Sequence, residues 1–276
     1  MKALLKVEFE RAFRSRGLLL SLMVGFILAV VQFIVVVIPR SKNILEYFHG
    51  NASTYPYSVF NSWLGMDDTH PYLIIYMTIF PILATLPYAV SYFEDRKKGY
   101  IKGLCTRAKR NHYLMAKYAA TFVSGGIVVV LPMVFNLILT ASVVPSLIPV
   151  GNGLFKLCGV AMLADIFYTH PYMYILIYLL MYFVYGGVFA SLALACSYIF
   201  DYSFFVIIFP FAIYYGIGII SPYARTVATQ LINPRFLLTM SQPGTIMEVT
   251  FFGEIIIIGI LAYAVYMWKG VRNDIF

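Results

Sequence analysis

The residues able to do chemistry in this 276-residue chain are few, and most of them are crowded together. Residues 94 to 117 hold eight of the twenty Lys and Arg side chains: Arg96, Lys97, Lys98, Lys102, Arg107, Lys109, Arg110 and Lys117. Glu94 and Asp95 head the stretch, and long apolar runs flank it on both sides. A charge at the centre of a bilayer costs at least ~2.5–3.5 kcal/mol, so this island must sit in water. What a cationic, solvated island between apolar runs can do is dock a soluble partner. Catalysis is not expected, because the arrangements that would carry it are missing. The chain has no Gly-x4-Gly-Lys-Ser/Thr loop to cradle nucleotide phosphates and no His-Glu-x-x-His zinc site. It also has no Gly-x-Ser-x-Gly nucleophile elbow.

Inside the apolar runs the polar groups are sparse. Ionisable residues there would mark ion or proton paths. The candidates are Glu254, near the outer end of the last run, and Asp165, just before the fourth. Both are expected at the outer boundary rather than the midplane. Gln32 and Asn136 are amides well inside their runs. They read as hydrogen-bonding partners of neighbouring helices or, alternatively, as part of a substrate path. Tyr174, Tyr178, Tyr182 and Tyr185 recur at helical spacing. They form either a packed aromatic stripe or a lining that offers rings and hydroxyls to an amphipathic substrate. Gly186, Gly187, Ala190, Ser191 and Ala195 on the same run are small residues spaced for close helix approach. Thr69-His-Pro-Tyr72 and Thr169-His-Pro-Tyr172 each open a run, with Pro where a first helical residue has no N–H partner to lose. No Cys, Asp or Glu stands at ligand spacing from either His, so no metal is expected.

The elements that must carry these groups follow from hydropathy. Sixty-one per cent of residues are hydrophobic and 12% are charged, against about a quarter charged in soluble domains. The expected fold is an all-α membrane protein, one transmembrane domain over residues 1–276. A basic amphipathic helix at 2–16, with Leu5, Phe9, Ala12 and Phe13 on its apolar side, lies flat in the headgroup layer or simply flanks the first span. Six transmembrane helices follow at about 18–38, 71–93, 113–144, 171–200, 203–222 and 251–268, each near the ~20 residues a bilayer needs. Pro39 and Arg40 are expected to end the first, and Pro132 interrupts the third. The charged loop covers 94–112. Residues 223–250 are half apolar and broken by Pro and Gly, so they read as short re-entrant or outer helices. Bent backbone at that depth must be buried in protein or line a watery cavity.

Lys and Arg set the orientation. Fifteen fall on the side of the termini and the 94–112 loop, and five on the other side. Both termini are therefore expected inside. The formal charge of +8 is a topology signal rather than a nucleic-acid footprint. By this topology Cys105, Cys158 and Cys196 lie too far apart to pair. The first run has no small-residue cleavage site after it, so no signal peptide is expected. Asn51-Ala-Ser53 is a glycosylation triplet that would matter only in a eukaryotic secretory pathway.

Together these features resemble the permease subunits of the ABC-2 family of ATP-binding-cassette transporters. The resemblance rests on the basic N-terminal helix, the six spans, the charged loop and the bent outer segment. At motif level it rests on Glu94, Gly99, Leu104, Arg107 and Lys117; where the family commonly has a Pro, Thr106 and Ala108 stand. The resemblance implies that the loop holds a cytoplasmic coupling helix seated in a groove of a separate ATPase subunit, with Leu104 as apolar anchor and Arg107, Lys109 and Arg110 as charge. It implies a second permease chain as a dimer partner, ATP and magnesium held by the ATPase, and no cofactor in this chain. The plasma membrane of a bacterium is the expected setting. The cargo expected from many aromatics and few buried charges is an amphipathic or hydrophobic molecule: a peptide such as an antimicrobial peptide, a drug or a lipid-like compound. The alternatives are an ion-coupled carrier or channel working without an ATPase, and a scaffold or intramembrane enzyme.

Overall fold

The computed structural model describes residues 1–48, 57–67, 69–106, 108–149, 162–220, 237–240 and 248–272. The regular secondary structure of the described residues is all helical, with no strand among them. In chain order the helices are α1 (Lys2–Phe13), α2 (Arg16–Gln32), a π turn (Phe33–Val37), α3 (Ile38–Phe48), α4 (Val59–Ser62), α5 (Pro71–Thr85), α6 (Ser91–Lys97), α7 (Tyr100–Cys105), α8 (Arg110–Val143), α9 (Ala164–Thr169), α10 (Pro171–Cys196), α11 (Ser203–Ile220) and α12 (Glu248–Arg272). Four segments are long and apolar enough to cross a membrane: Arg16–Lys42, Arg110–Val143, Pro171–Cys196 and Phe252–Arg272. α5 and α11 are apolar but shorter. Four candidate spans suggest a multi-pass membrane protein.

Helix boundaries depart from the sequence expectation where prolines are involved. Pro39 does not end the first long helix. A proline removes the hydrogen bond to the carbonyl four residues back and crowds it. Here the π turn absorbs that defect: Ile38 N–H reaches back to the Phe33 carbonyl, and the helix continues through Pro39. Pro132 likewise sits inside an unbroken α8. Its ring fits against Gly25 of α2, where a Cβ would lie 2.5 Å from Pro132 Cγ. The expected second span, in contrast, is cut short. α5 stops at Thr85 because Pro87 has no N–H to continue the ladder, and the chain turns through 86–90 before α6.

The centre of the fold is the α8–α10 pair, which pack against each other more extensively than any other two helices. Their small residues permit it. A Cβ on Gly125 would lie 3.0 Å from the Gly186 carbonyl and 2.5 Å from Ala190 Cβ. A Cβ on Gly186 would lie 2.9 Å from the Gly125 carbonyl. The two backbones are in contact, as small-residue stripes allow. α12 runs parallel to α10: Glu254 meets Tyr185, Gly259 faces Val188, and Gly270 faces Tyr198. α12 therefore begins level with the Tyr178 turn of α10, not with its start. The space beside the first half of α10 is taken by Leu237, Leu238 and Met240, which are buried in the main core.

Candidate functional site

One end of the bundle gathers α1, the 86–90 turn, α6, α7 and the first turns of α8 and carries most of the charge. α6 has Glu94 in its first turn and Arg96 and Lys97 in its last, matching the helix dipole. Gly99 then takes φ +71 and lets α7 start in a new direction. A Cβ there would meet no atom within 4 Å, so the demand is purely conformational. Leu104 is half-buried against the cluster of Tyr92, Ile101, Tyr113, Leu114 and Tyr266. Glu94 pairs with Lys98 at 3.0 Å on the exposed face. Arg96 reaches Asp201 at 3.6 Å, joining the loop to the tight turn after α10. Lys109 caps α8 from solvent, while Arg110 lies against the Tyr92 hydroxyl. Arg107 lies outside the described residues.

Lys117 is different. It is 0% exposed and offers nothing to a soluble partner. Its ammonium contacts Asp95 and lies 3.4 Å from Glu8 and 3.3 Å from Ser91 Oγ. Arg11 donates to both Asp95 oxygens, at 2.6 and 3.1 Å, and to Glu8 at 3.2 Å. The Tyr113 hydroxyl donates to Asp95 at 2.7 Å, and the Tyr88 hydroxyl to Glu8 at 2.6 Å. Lys117 also sits 5.0 Å from the Tyr88 ring centre and 5.2 Å from that of Tyr113. Two cations meet two anions, so the cluster is neutral, and its carboxylates are saturated with donors. It ties α1, α6 and α8 together. A cavity of ≈ 630 Å³ opens beside it, lined among others by Arg11, Arg16, Pro87, Glu94 and Lys98.

Burial alone would push the Asp95 carboxyl up. Its hydrogen bond from Arg11, the Lys117 ammonium and the Tyr113 hydroxyl outweigh that and hold it below the usual carboxylate range. Such a cluster contributes little net stability over an apolar replacement, yet removing one member strands the opposite charge. It fixes geometry.

The sequence reading missed Glu8, Arg11, Asp95 and Tyr113. On α1 it placed Leu5, Phe9, Ala12 and Phe13 on the apolar side, whereas Glu8 and Ala12 are the buried residues and Phe13 is exposed. The available signal was the Glu8–Arg11 pair at i,i+3 beside Ala12.

The interior groups lie along the bundle. Asn136 donates to the Ala29 carbonyl and to Gln32 Oε1, both at 2.8 Å, and accepts from Leu64 N–H at 2.8 Å. Gln32 donates to the Ser62 carbonyl at 2.9 Å. Both amides are buried and serve as joints between α2, α8 and the α4 turn. Tyr174, Tyr178, Tyr182 and Tyr185 are all buried. The Tyr174 hydroxyl donates to the Met240 carbonyl at 3.0 Å, and that of Tyr182 to the Leu238 carbonyl at 2.6 Å. The described part of the bent outer segment is thus buried in protein. Tyr185 lies 3.4 Å from Glu254 Oε2. Because α12 starts late, Glu254 meets α10 fourteen residues past Pro171, about 21 Å along that helix, while it is the third residue of its own candidate span, Phe252–Arg272. Asp165 is exposed in the first turn of α9.

At the opposite end Arg40 donates to Asp67 at 3.0 Å, Thr69 at 2.9 Å and the Asn61 carbonyl at 3.0 Å. The second Thr-His-Pro-Tyr copy has different partners: Thr169 donates to the Asp165 carbonyl, and Tyr172 meets Ser146. Among the described residues no group of three or more His, Cys, Asp and Glu could hold a metal ion. Cys196 is buried and free; Cys158, the sequon and most of 223–250 lie outside the described residues. No protein-family model, curated protein or solved structure matches the chain.

Proposed function

We propose that the protein is the transmembrane permease subunit of an ATP-driven exporter of the ABC-2 kind, with both termini and the 94–112 loop in the cytoplasm. The observation that carries this reading is the junction of an exposed cationic loop with a buried, neutral ion cluster. Glu94, Lys98, Lys102 and Lys109 face solvent. Directly beneath, Asp95 grips Arg11 of α1 and Lys117 of α8. A push on α6 and α7 by a soluble ATPase moves Asp95, and Asp95 moves α1 and α8 together. α8 is locked to α10 through Gly125 and Gly186, and α10 holds the 237–240 segment through its tyrosines. The chain lacks a phosphate-cradling loop, so ATP and magnesium belong to the partner. A second permease chain supplies the other wall of the path.

Purification of the tagged chain from its own membranes in a mild detergent tests this. An ATP-hydrolysing subunit should copurify, and K109E with R110E should release it. A chain that recruits no ATPase, and whose transport survives ATP depletion, overturns the reading.

The buried, unpartnered Oε1 of Glu254 favours one second reading, an ion-coupled carrier. It predicts gradient-driven, ATP-independent transport that E254Q abolishes.

A further inference from the structure

We propose that Glu254, with the Tyr185 hydroxyl beside it, binds the cationic group of an amphipathic organic cation; this names a cargo class for the exporter and rests on that reading. An ionisable group packed against an apolar helix is costly and pairs with something. Among the described residues Glu254 has no cationic partner. No Lys, Arg or His among the described residues lies within ion-pair distance of it, the cations of the described interior being Arg11 and Lys117 at one end and Arg40 at the other. Glu254 Oε1 is buried without a hydrogen-bond partner, and Oε2 has only the long 3.4 Å contact with Tyr185. An ammonium supplies what that oxygen lacks.

The surroundings suit a cation with an apolar body. From Tyr185 a file of buried tyrosines continues along α10, the Tyr174, Tyr178 and Tyr182 rings following one another at 4.7 and 6.4 Å between centres. Phenol rings also bury apolar surface while keeping a polar edge. Access is lateral. The Glu254 residue is half-exposed, and the neighbouring face of α12 presents Phe252, Ile256 and Ile257 outward. Further along α10, Leu238 and Met240 accept from Tyr182 and Tyr174 and are buried in the main core.

Two fluorescent probes of one body and opposite charge test the idea: dansylcadaverine, ending in an ammonium, and N-dansyl-6-aminohexanoate, ending in a carboxylate. Saturable binding to the full chain in nanodiscs is read by anisotropy, with protein-free nanodiscs subtracted. The native chain should prefer the cationic probe on the order of tenfold or more, the scale of one desolvated charge contact. E254Q should erase the preference, E254D should keep part of it, and Y185F, which keeps the carboxylate, should retain most of it. Equal affinity for the two probes on the native chain overturns the proposal. So does a preference that survives E254Q. Should E254Q not fold, the native comparison and E254D still decide. The assay uses neither ATPase nor nucleotide, so its failure leaves the exporter reading standing, and failure to find an ATPase leaves the binding site standing.

Discussion

Asp95 is the residue on which the charged end turns. It accepts from Arg11, Lys117 and Tyr113 at once. Asp95→Asn should cost about 3–5 kcal/mol, because the buried Lys117 and the partly exposed Arg11 are left with Glu8 as their one counter-charge in the cluster. Thermal unfolding in detergent measures this. D95N with K117M should cost less than the sum of the two single changes, since members of one network do not add. The pH dependence follows from the lowered Asp95 pKa. A depressed carboxylate contributes stability above its unfolded pKa, about 3.9, and that contribution is lost as pH falls through the lower folded value. The Asp95 contribution should be flat from neutral pH down to about pH 5 and fade below about pH 4; D95N should remove the acid-side loss. In the sequence Asp95 was one charge among many. Its partners lie 84 and 22 positions away, and nothing local announces such a meeting.

Two elements decide whether motion at one end reaches the other. Gly99 is needed for its left-handed backbone. Gly99→Ala should cost roughly 1 kcal/mol, and Gly99→Asn less, as Asn tolerates that region. ATP-driven transport should fall in G99A before thermal stability does. At the α8–α10 contact there is no room at all: Gly186→Leu should destabilise by about 1–3 kcal/mol or more, read again by thermal unfolding. That contact was legible, because a stripe of small residues on an apolar helix has few other uses. The apolar helices and the solvated loop were legible for the same reason. The fate of prolines was not. Pro39 and Pro132 read as breaks, but a π turn and Gly25 on another helix accommodate them. A π turn has no residue signature in the local pattern, and Gly25 lies far from Pro132 in the chain.

For the whole molecule, the separation of charge is the organising fact. Cations and anions are paired and buried at both ends, and the middle is nearly all apolar, with amides satisfied by their neighbours. Asn136→Ala should cost about 1–3 kcal/mol by leaving the Leu64 N–H and Gln32 Oε1 without their partner. The exception is Glu254. Its level along α10 was not legible, because the length of α12 can be read from the residues but its offset along α10 is set by tertiary packing. An acid with one unpartnered oxygen, a wet cationic loop and no phosphate-cradling motif suit the externally driven exporter proposed above.

The most direct test of that claim is site-specific photo-cross-linking in intact cells. A photoreactive residue replaces Lys102 or Lys109 on the loop, or the exposed Ile148 at the opposite end. The account predicts an adduct between the loop positions and an ATP-hydrolysing protein, and none from position 148. Loop positions that trap no ATPase, or that react with a membrane-impermeant reagent added outside the cell, would contradict it.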